Sequence, residues 1–275
     1  MDHIAPKKSL GQNFLIDRNI AAKIVSEFAP AAGQTVVEIG PGEGALTGML
    51  VESGCRLIAI ELDPRAAAKV RSLYGTRIEV IENDVLKVDL AELAASAGGG
   101  PLRVIGNIPY YITSPILFHL IESRGVISDV MMMMQREVAD RLVASPRTKD
   151  YGILAVMTQT YAIPKRLFNV SPGCFFPPPN VTSAVVRLRF GDLDGITGIE
   201  RQHGVIVRTA FNQRRKTLRN SLAHILPDQH ERDRIFGQAG IDERRRPEEL
   251  TPQEFIRLAR VYADALAGGG GNQDA

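Results

Sequence analysis

A chain of 275 residues with 44% hydrophobic residues carries enough apolar mass for an ordinary core, while a net charge of +2 is too small to mark a nucleic-acid binder by charge alone. Its two cysteines, Cys55 and Cys174, lie far apart, and its five histidines (His3, His119, His203, His224, His230) do not cluster. That excludes a disulfide framework and a metal centre as expectations and reads as free thiols in a reducing compartment. No apolar run approaches the length of a membrane span, and the start Met1–Lys8 lacks the apolar core of a secretory signal, so the expected location is the cytoplasm.

Residues 1–16 read as an arm, mobile without ligand, and Asp17 as the cap of a helix running to about Phe28. From there strands and helices alternate to about Ala144, the rhythm of a doubly wound, mainly parallel sheet. The first apolar strand, Val36–Ile39, enters the turn Gly40-Pro41-Gly42-Glu43-Gly44 and leaves it in a helix-like pattern from Ala45. Glycines let a backbone take positive φ and approach a ligand closely. The helix start beyond them offers free N–H groups. By itself, Gly40-x-Gly42-x-x-Ala45 fits a dinucleotide-binding pattern or a plain tight connection equally well.

The second strand, Ile58–Ile60, ends in Glu61, about 20 residues beyond Gly40, where an acid that accepts from ribose hydroxyls is expected. The third, Ile78–Ile81, ends in Asn83-Asp84; taken singly, either acid is as readily a helix cap. The fourth, from Leu102 to Ile105, is closed by Gly106 and followed by Asn107-Ile108-Pro109-Tyr110. Val130–Met134 is the fifth, its methionines read as core filling. The ends of these strands fall on the sheet edge where open α/β sheets bind ligands.

The Asn107–Tyr110 cluster suits methylation of a planar exocyclic amine. The lone pair of such a nitrogen is delocalised into its ring, so it attacks poorly. An amide oxygen and a backbone carbonyl can accept its two hydrogens and draw the nitrogen towards tetrahedral geometry, while an aromatic holds the base by stacking. No Cys–His or Ser–His pair is required. A lone N-x-P-Y is equally a turn with an aromatic lid; the neighbouring strand ends favour the chemical reading.

Further along, Ile153–Thr160 and Ala184–Phe190 are strand-like runs without a long helix between them, and are expected to form an antiparallel pair finishing the sheet. Between them, consecutive prolines in Cys174-Phe175-Phe176-Pro177-Pro178-Pro179 stiffen a loop that can offer a second wall to a flipped base. Gly191–Gly195 marks a domain boundary. Val207, Phe211, Leu218 and Leu222 recur at helical spacing and should face a core. Arg208, Arg215 and Arg219 fall together on another face of that helix, joined by Arg214 and Lys216 and by no acid, which suits phosphate contact. A plain solvated basic face is the alternative. Arg244-Arg245-Arg246 is flanked by Asp242, Glu243, Glu248 and Glu249, so local pairing is expected there.

Taken together, Lys8-Ser9-Leu10-Gly11-Gln12-Asn13-Phe14-Leu15, Glu38–Thr47, Glu61-Leu62-Asp63, Asn107–Tyr110 and Phe211-Asn212-Gln213-Arg214-Arg215-Lys216-Thr217 resemble the ribosomal RNA adenine dimethyltransferases, and within them the small-subunit (KsgA) type. The resemblance runs from about Lys7 to about Tyr262. The glycine motif is shared by many methyltransferases; the G-Q-N-F-L and F-N-Q-R-R-K-T blocks are the specific part.

The resemblance implies an α/β fold, a Rossmann-like class I methyltransferase sheet with an antiparallel end, plus a small C-terminal helical domain. The ranges are an arm over 1–16, a methyltransferase domain over 17–191, a helical RNA-binding domain over 192–267 and a disordered tail over 268–275. It implies S-adenosylmethionine as the donor. Gln12, Asn13 and Leu15 would close over it, Gly40 and Gly42 would pass under its methionine part, and Glu61, with Leu62 beside it, would bind its ribose. Asp84, with Val85 beside it, would accept from its adenine amine. Asn107 would touch donor and acceptor, flanked by Ile108 and Pro109. Tyr110 would stack on the target adenine, with Phe175 as the facing wall and Phe176 as an anchor. The implied product carries two methyl groups on the exocyclic amine of each of two adjacent adenosines near the 3′ end of small-subunit (16S) rRNA. The implied partner is the small ribosomal subunit precursor, and the expected state is a monomer that needs neither metal nor membrane.

Rival readings are an NAD-dependent dehydrogenase, permitted by the glycine pattern alone, and another amine or amide methyltransferase, such as a large-subunit rRNA enzyme of the Erm type, a DNA adenine enzyme or a glutamine enzyme. A third is an rRNA-binding assembly factor in which catalysis is secondary. The first leaves Asn107–Tyr110 unexplained.

Overall fold

The computed structural model describes residues 4–269. Its strands are β1 (Phe14–Leu15), β2 (Thr35–Ile39), β3 (Arg56–Glu61), β4 (Glu79–Glu82), β5 (Leu102–Asn107), β6 (Ile127–Gln135), β7 (Ala162–Val170), β8 (Phe175–Phe176) and β9 (Ser183–Phe190). Its helices are α1 (Arg18–Phe28), α2 (Thr47–Glu52), α3 (Pro64–Tyr74), α4 (Leu90–Ser96), α5 (Thr113–Glu122), α6 (Arg136–Leu142), α7 (Ile153–Tyr161), α8 (Glu200–Asn212), α9 (Leu218–Ser221), α10 (Gln229–Ala239) and α11 (Pro252–Gly269). Two compact units result: one spans the residues up to Ala139 together with Pro164–Phe190, the other Asp140–Ile163 together with the chain from Gly191. The segment 140–163, expected with the sheet, thus clusters with the second unit.

In the first unit seven strands form one sheet in the order β4-β3-β2-β5-β6-β9-β7. The pairings β4–β3, β3–β2, β2–β5 and β5–β6 are parallel, and β6–β9 is antiparallel. The chain runs outward from β2 to β4, then returns to lay β5 on the other side of β2. That reversal is the topological switch point where such sheets bind ligands. Val36, Val37, Ile58, Ala59, Val104, Ile105, Val130 and Met131 are all fully buried, as parallel strands covered on both faces require. The methionines of β6 serve as core. Gly106 has a sharper requirement: a Cβ there would lie 2.6 Å from the Ile39 carbonyl oxygen, so only glycine lets β2 and β5 approach this closely.

Near the starts of β5 and β6, Arg103 and Asp129 are direct register partners. Arg103 donates to both carboxylate oxygens of Asp129 at 2.7 and 2.9 Å and to the carbonyls of Phe28 and Ala29 at 2.6 and 3.0 Å. It also donates to Gln34 Oε1 at 2.9 Å and lies 4.1 Å from the centre of the Phe28 ring. Arg187 of β9 donates to the same carboxylate at 2.7 Å. A buried charge is tolerable only with such complete pairing.

The run Ile153–Thr160, expected as a strand, is α7. Its Ala155, Val156, Met157, Thr158, Thr160 and Tyr161 are all buried, so the helix lacks the one-sided stripe by which a helix is told from a strand. Thr160 Oγ1 satisfies itself on the Val156 carbonyl one turn back, at 2.8 Å. The strand lies just beyond, in β7, the edge of the sheet, and contains Pro164, Lys165 and Arg166. Proline and charge suit an edge, where a missing N–H breaks no ladder.

The second unit packs α8 against α11 and α7. Phe211 sits 5.8 Å from Phe255 and 6.3 Å from Tyr151, whose hydroxyl donates to the Leu250 carbonyl at 2.8 Å. Gly268 and Gly269 continue α11 instead of opening a disordered tail; residues 270–275 of that tail lie outside the described residues.

Candidate active site

A cleft follows the carboxyl ends of β2, β3, β4 and β5. Every cofactor or catalytic residue expected from the sequence lines it, with the exception of Phe175. Gly40 and Gly42 turn the chain at φ of +65° and +56°. The Gly40 N–H donates to the Ile60 carbonyl at 2.9 Å, tying the turn to β3. A Cβ on Gly42 would meet the Phe14 ring at 3.0 Å.

Glu61 ends β3 in the wall of the cleft. Its two carboxylate oxygens accept from the backbone N–H groups of Gly42 (3.0 Å) and Asp63 (2.8 Å). Burial raises its pKa, opposed by those two hydrogen bonds, that of Asp63 first. Each oxygen keeps a further lone pair, so one carboxylate can hold the glycine turn and still accept from hydroxyls. Leu62, next along, is 47% exposed, a large apolar side chain presented to the cleft beside Val85. Asp84 caps a short turn through the Leu86 N–H at 3.0 Å and also lines the cleft. A buried acid, an apolar slot and a second acid are groups that can together hold a nucleoside.

Two acids were not singled out from the sequence. Glu38 is 1% exposed at the floor of the cleft and accepts from Thr47 Oγ1 at 2.8 Å. Burial pushes its pKa up to about 8; the Thr47 bond opposes this and the Glu61 charge adds to it. An acid inside the apolar run Val36-Val37-Glu38-Ile39 is the signal that could have found it, since unpaired Glu is almost never fully buried. Asp63 caps α3 and gathers the arm. Its carboxylate accepts from Arg65 and, at 2.9 Å, from Gln12 Nε2, with Lys7 Nζ at 3.6 Å. The Arg65 hydrogen bond, against the effect of burial, holds its pKa far below the usual carboxylate range.

The described part of the arm, from Ile4 on, lies against the first unit; residues 1–3 of the expected arm lie outside the described residues. Gln12 accepts from the Lys7 N–H at 2.8 Å, so both ends of its side chain secure the arm. Arg65 donates to the Ala5 carbonyl at 3.1 Å, and the Ile4 N–H donates to Glu43 at 2.6 Å. β1 pairs antiparallel with β8. Most important, Asn107 Nδ2 donates to the Asn13 carbonyl at 3.1 Å. With its nitrogen engaged there, the amide of Asn107 keeps its oxygen as an acceptor.

Tyr110 opens a single 3₁₀ turn after Pro109 and lines the cleft; its hydroxyl is in short hydrogen-bond contact with Ser183 Oγ. Burial raises the pKa of this phenol, and the Ser183 bond opposes that rise. The two phenylalanines differ in exposure, and neither lines the cleft. Phe175 is 2% exposed and packs with Leu15, Val170 and Val185 in the apolar core, whereas Phe176 is 54% exposed. Successive side chains of a strand point to opposite faces, so along β8 one phenylalanine enters the core and the next faces away from it.

In the second unit, the continuous basic helix does not form. α8 ends at Asn212, residues 213–216 turn, and α9 starts at Leu218. The backbone N–H groups of Leu218 and Arg219 donate to the carbonyls of Arg245 and Glu243. A partner segment distant in sequence thus replaces helical bonds. Val207, Phe211, Leu218 and Leu222 are buried nonetheless. Arg219 is engaged by Glu243 and Asp233, and Arg214 donates to the Thr148 carbonyl at 3.1 Å with Glu248 at 3.9 Å. Arg208, Arg215 and Lys216 are exposed. Arg244 pairs with the flanking Asp242, as expected, whereas Arg245 pairs with Glu254 on α11.

Among the described residues no helix is long and apolar enough to cross a membrane, and no three His, Cys, Asp or Glu side chains gather as metal ligands.

The sequence profile of the ribosomal RNA adenine dimethylase family matches residues 5–264. The "Ribosomal RNA small subunit methyltransferase A" of Salinibacter ruber is 48% identical over 266 residues, covering 95% of this chain and 86% of its own. The protein of the same name from Chlorobium phaeobacteroides is 47% identical over 255 residues, covering 93% and 90%. Among solved structures, a dimethyladenosine transferase from Plasmodium falciparum superposes with a TM-score of 0.75 at 25% identity, covering 91% of this chain and 98% of its own. The 23S rRNA methyltransferase ErmE superposes with a TM-score of 0.68 at 28% identity, covering 90% and 99%.

Proposed function

The chain belongs to the ribosomal RNA adenine dimethylase family, and from that premise we propose that it transfers two methyl groups to the exocyclic amine of each of two adjacent adenosines near the 3′ end of small-subunit rRNA. The observation that carries this reading is the Asn107 amide, held by its nitrogen on the Asn13 carbonyl beside Tyr110 in the cleft. Its oxygen accepts from the amine and Tyr110 stacks on the base. A base paired or stacked in RNA must be turned out to reach such a pocket, which a stacking wall rewards. The Gly40–Gly42 turn, the Glu61 carboxylate, the Leu62–Val85 slot and Asp84 hold S-adenosylmethionine, whose sulfonium supplies the methyl group and the leaving group. The protein contributes position, worth roughly 7–11 kcal/mol when the near-attack geometry is held.

Incubating the protein with labelled S-adenosylmethionine and small-subunit rRNA, followed by mass spectrometry, tests the reading. Two dimethyladenosines near the 3′ end are expected. Label confined to large-subunit rRNA would transfer the enzyme to the other branch of the family.

Glu61→Ala should weaken S-adenosylmethionine binding by roughly 1–3 kcal/mol, the range for hydrogen bonds to a charged group. Calorimetry giving unchanged affinity in a folded variant would remove Glu61 from the site. For RNA, the exposed cations carry the expectation. Replacing Arg215 and Lys216 by Gln should lower affinity and flatten its salt dependence by roughly 0.7–0.9 in slope per lost phosphate contact. An unchanged slope would assign these two residues to the solvated surface.

A further inference from the structure

We propose that Ser183 is a positioning residue for methyl transfer, its buried hydroxyl fixing the ring of Tyr110 before the target base arrives. The inference rests on the reading of Tyr110 as the stacking wall. Ser183 begins β9, is fully buried at 0% exposure, and is followed by Ala184, Val185 and Val186, which are buried as completely. An apolar side chain would satisfy packing there. Burying a hydroxyl without a partner is unfavourable, so a serine at such a point is explained by what it bonds. Among the described residues that partner is the hydroxyl of Tyr110, 73 residues away in the chain.

Tyr110 is thereby held at both ends. Its backbone carbonyl accepts from Thr113 Oγ1 at 3.1 Å, and its hydroxyl is fixed by Ser183. A tyrosine ring has two side-chain torsions: anchoring the hydroxyl restricts χ1, and because phenol hydrogen bonds prefer the ring plane, the direction of the Ser183 bond biases χ2. The stacking face is then set before binding, and the ordering cost is met during folding instead of on encounter with RNA. The second methylation should depend on this more than the first. A monomethylated amine has one hydrogen left to offer Asn107, so more of its alignment falls to the stacked ring.

The test compares Ser183→Ala, Tyr110→Phe and the double variant in single-turnover methylation at subsaturating RNA and saturating S-adenosylmethionine, with products separated by mass spectrometry. Each single variant should lose about threefold to tenfold in rate, the worth of one net hydrogen bond. The double variant should match either single one, because both remove the same bond. Monomethylated adenosine should accumulate and cofactor affinity should hold. Wild-type rate and product ratio in folded Ser183→Ala would overturn the proposal, as would losses that multiply in the double variant, which would make Ser183 a packing residue. If Ser183→Ala does not fold, Tyr110→Phe interrogates the same bond, and a wild-type product ratio there would overturn it equally. Tyr110→Ala separates the two levels. Near-wild-type dimethylation by that variant would remove the stacking reading, whereas an impaired Tyr110→Ala beside an unimpaired Ser183→Ala would remove only the role of Ser183.

Discussion

Asn107→Ala is expected to lower the single-turnover methylation rate by about 10²-fold or more, the size found when one preorganised hydrogen-bonding group is taken from a transition state. The amide oxygen is the acceptor that shifts the target amine from a delocalised, planar nitrogen towards a nucleophilic one. That interaction strengthens as the new bond forms, so its loss falls on the rate more than on binding. RNA docking should remain near wild type, because phosphate contacts elsewhere carry most of it. Asn107 also lines the cofactor cleft, so the rate must be read at saturating S-adenosylmethionine. Near-wild-type dimethylation by the folded variant under those conditions would sink the mechanism. Asn107→Asp sharpens the point. It keeps an acceptor but places a carboxylate against the Asn13 carbonyl, where an N–H now donates at 3.1 Å. The arm should loosen, read as faster amide exchange over residues 7–15, and the rate should fall despite the retained oxygens.

The largest expected loss of stability lies at the opposite end of the sheet, where β5 and its neighbour β6 begin. Asp129→Ala strips the carboxylate that neutralises Arg103 and Arg187. Breaking one side of a buried ion pair typically costs about 3–5 kcal/mol, because the remaining charge is left in a poor solvent. Denaturant unfolding should show this loss. A change below about 1 kcal/mol would mean that water solvates Arg103 as well as Asp129 does. Cofactor binding well below the melting temperature should change little, since Arg103 and Asn107 stand about 13 Å apart along an extended strand. The pH dependence has a definite sign. Burial by itself would raise the pKa of Asp129; the hydrogen bonds and charge of Arg103, then of Arg187, overcome that and hold it below the ordinary carboxylate range. A depressed folded-state value means that the contribution is complete above the unfolded-state value near ~3.9 and fades as pH falls through the folded one. Wild type and Asp129→Ala should therefore converge in stability as the solution is acidified below about pH 4.

The sequence by itself determined the family, the strand ends and the residue types gathered there. Gly40, Gly42, Glu61, Asp84 and Asn107 each follow an apolar run, and the turn chemistry that ends a strand is written within a few neighbouring residues. The topology then brought these ends to one edge without altering them. Features whose signal is not local were decided by the tertiary structure. Ile153–Tyr161 has the β-branched and apolar composition of a strand and is a helix whose burial on most sides leaves no periodicity in the sequence to mark it. Phe175 and Phe176 are adjacent and alike in chemistry; only the packing of β8, which puts Phe175 into the apolar cluster around Leu15, Val170 and Val185, settles which is buried. Arg219 reads as one of a basic group in the sequence, and only the fold brings Glu243 and Asp233 beside it. Glu38 and Ser183 are ordinary polar residues on paper; their partners, and so their energies, exist only after the sheet has closed. Propensity and turn chemistry act over a few residues, whereas exposure, ion pairing and the orientation of a side-chain amide depend on groups brought together from distant parts of the chain.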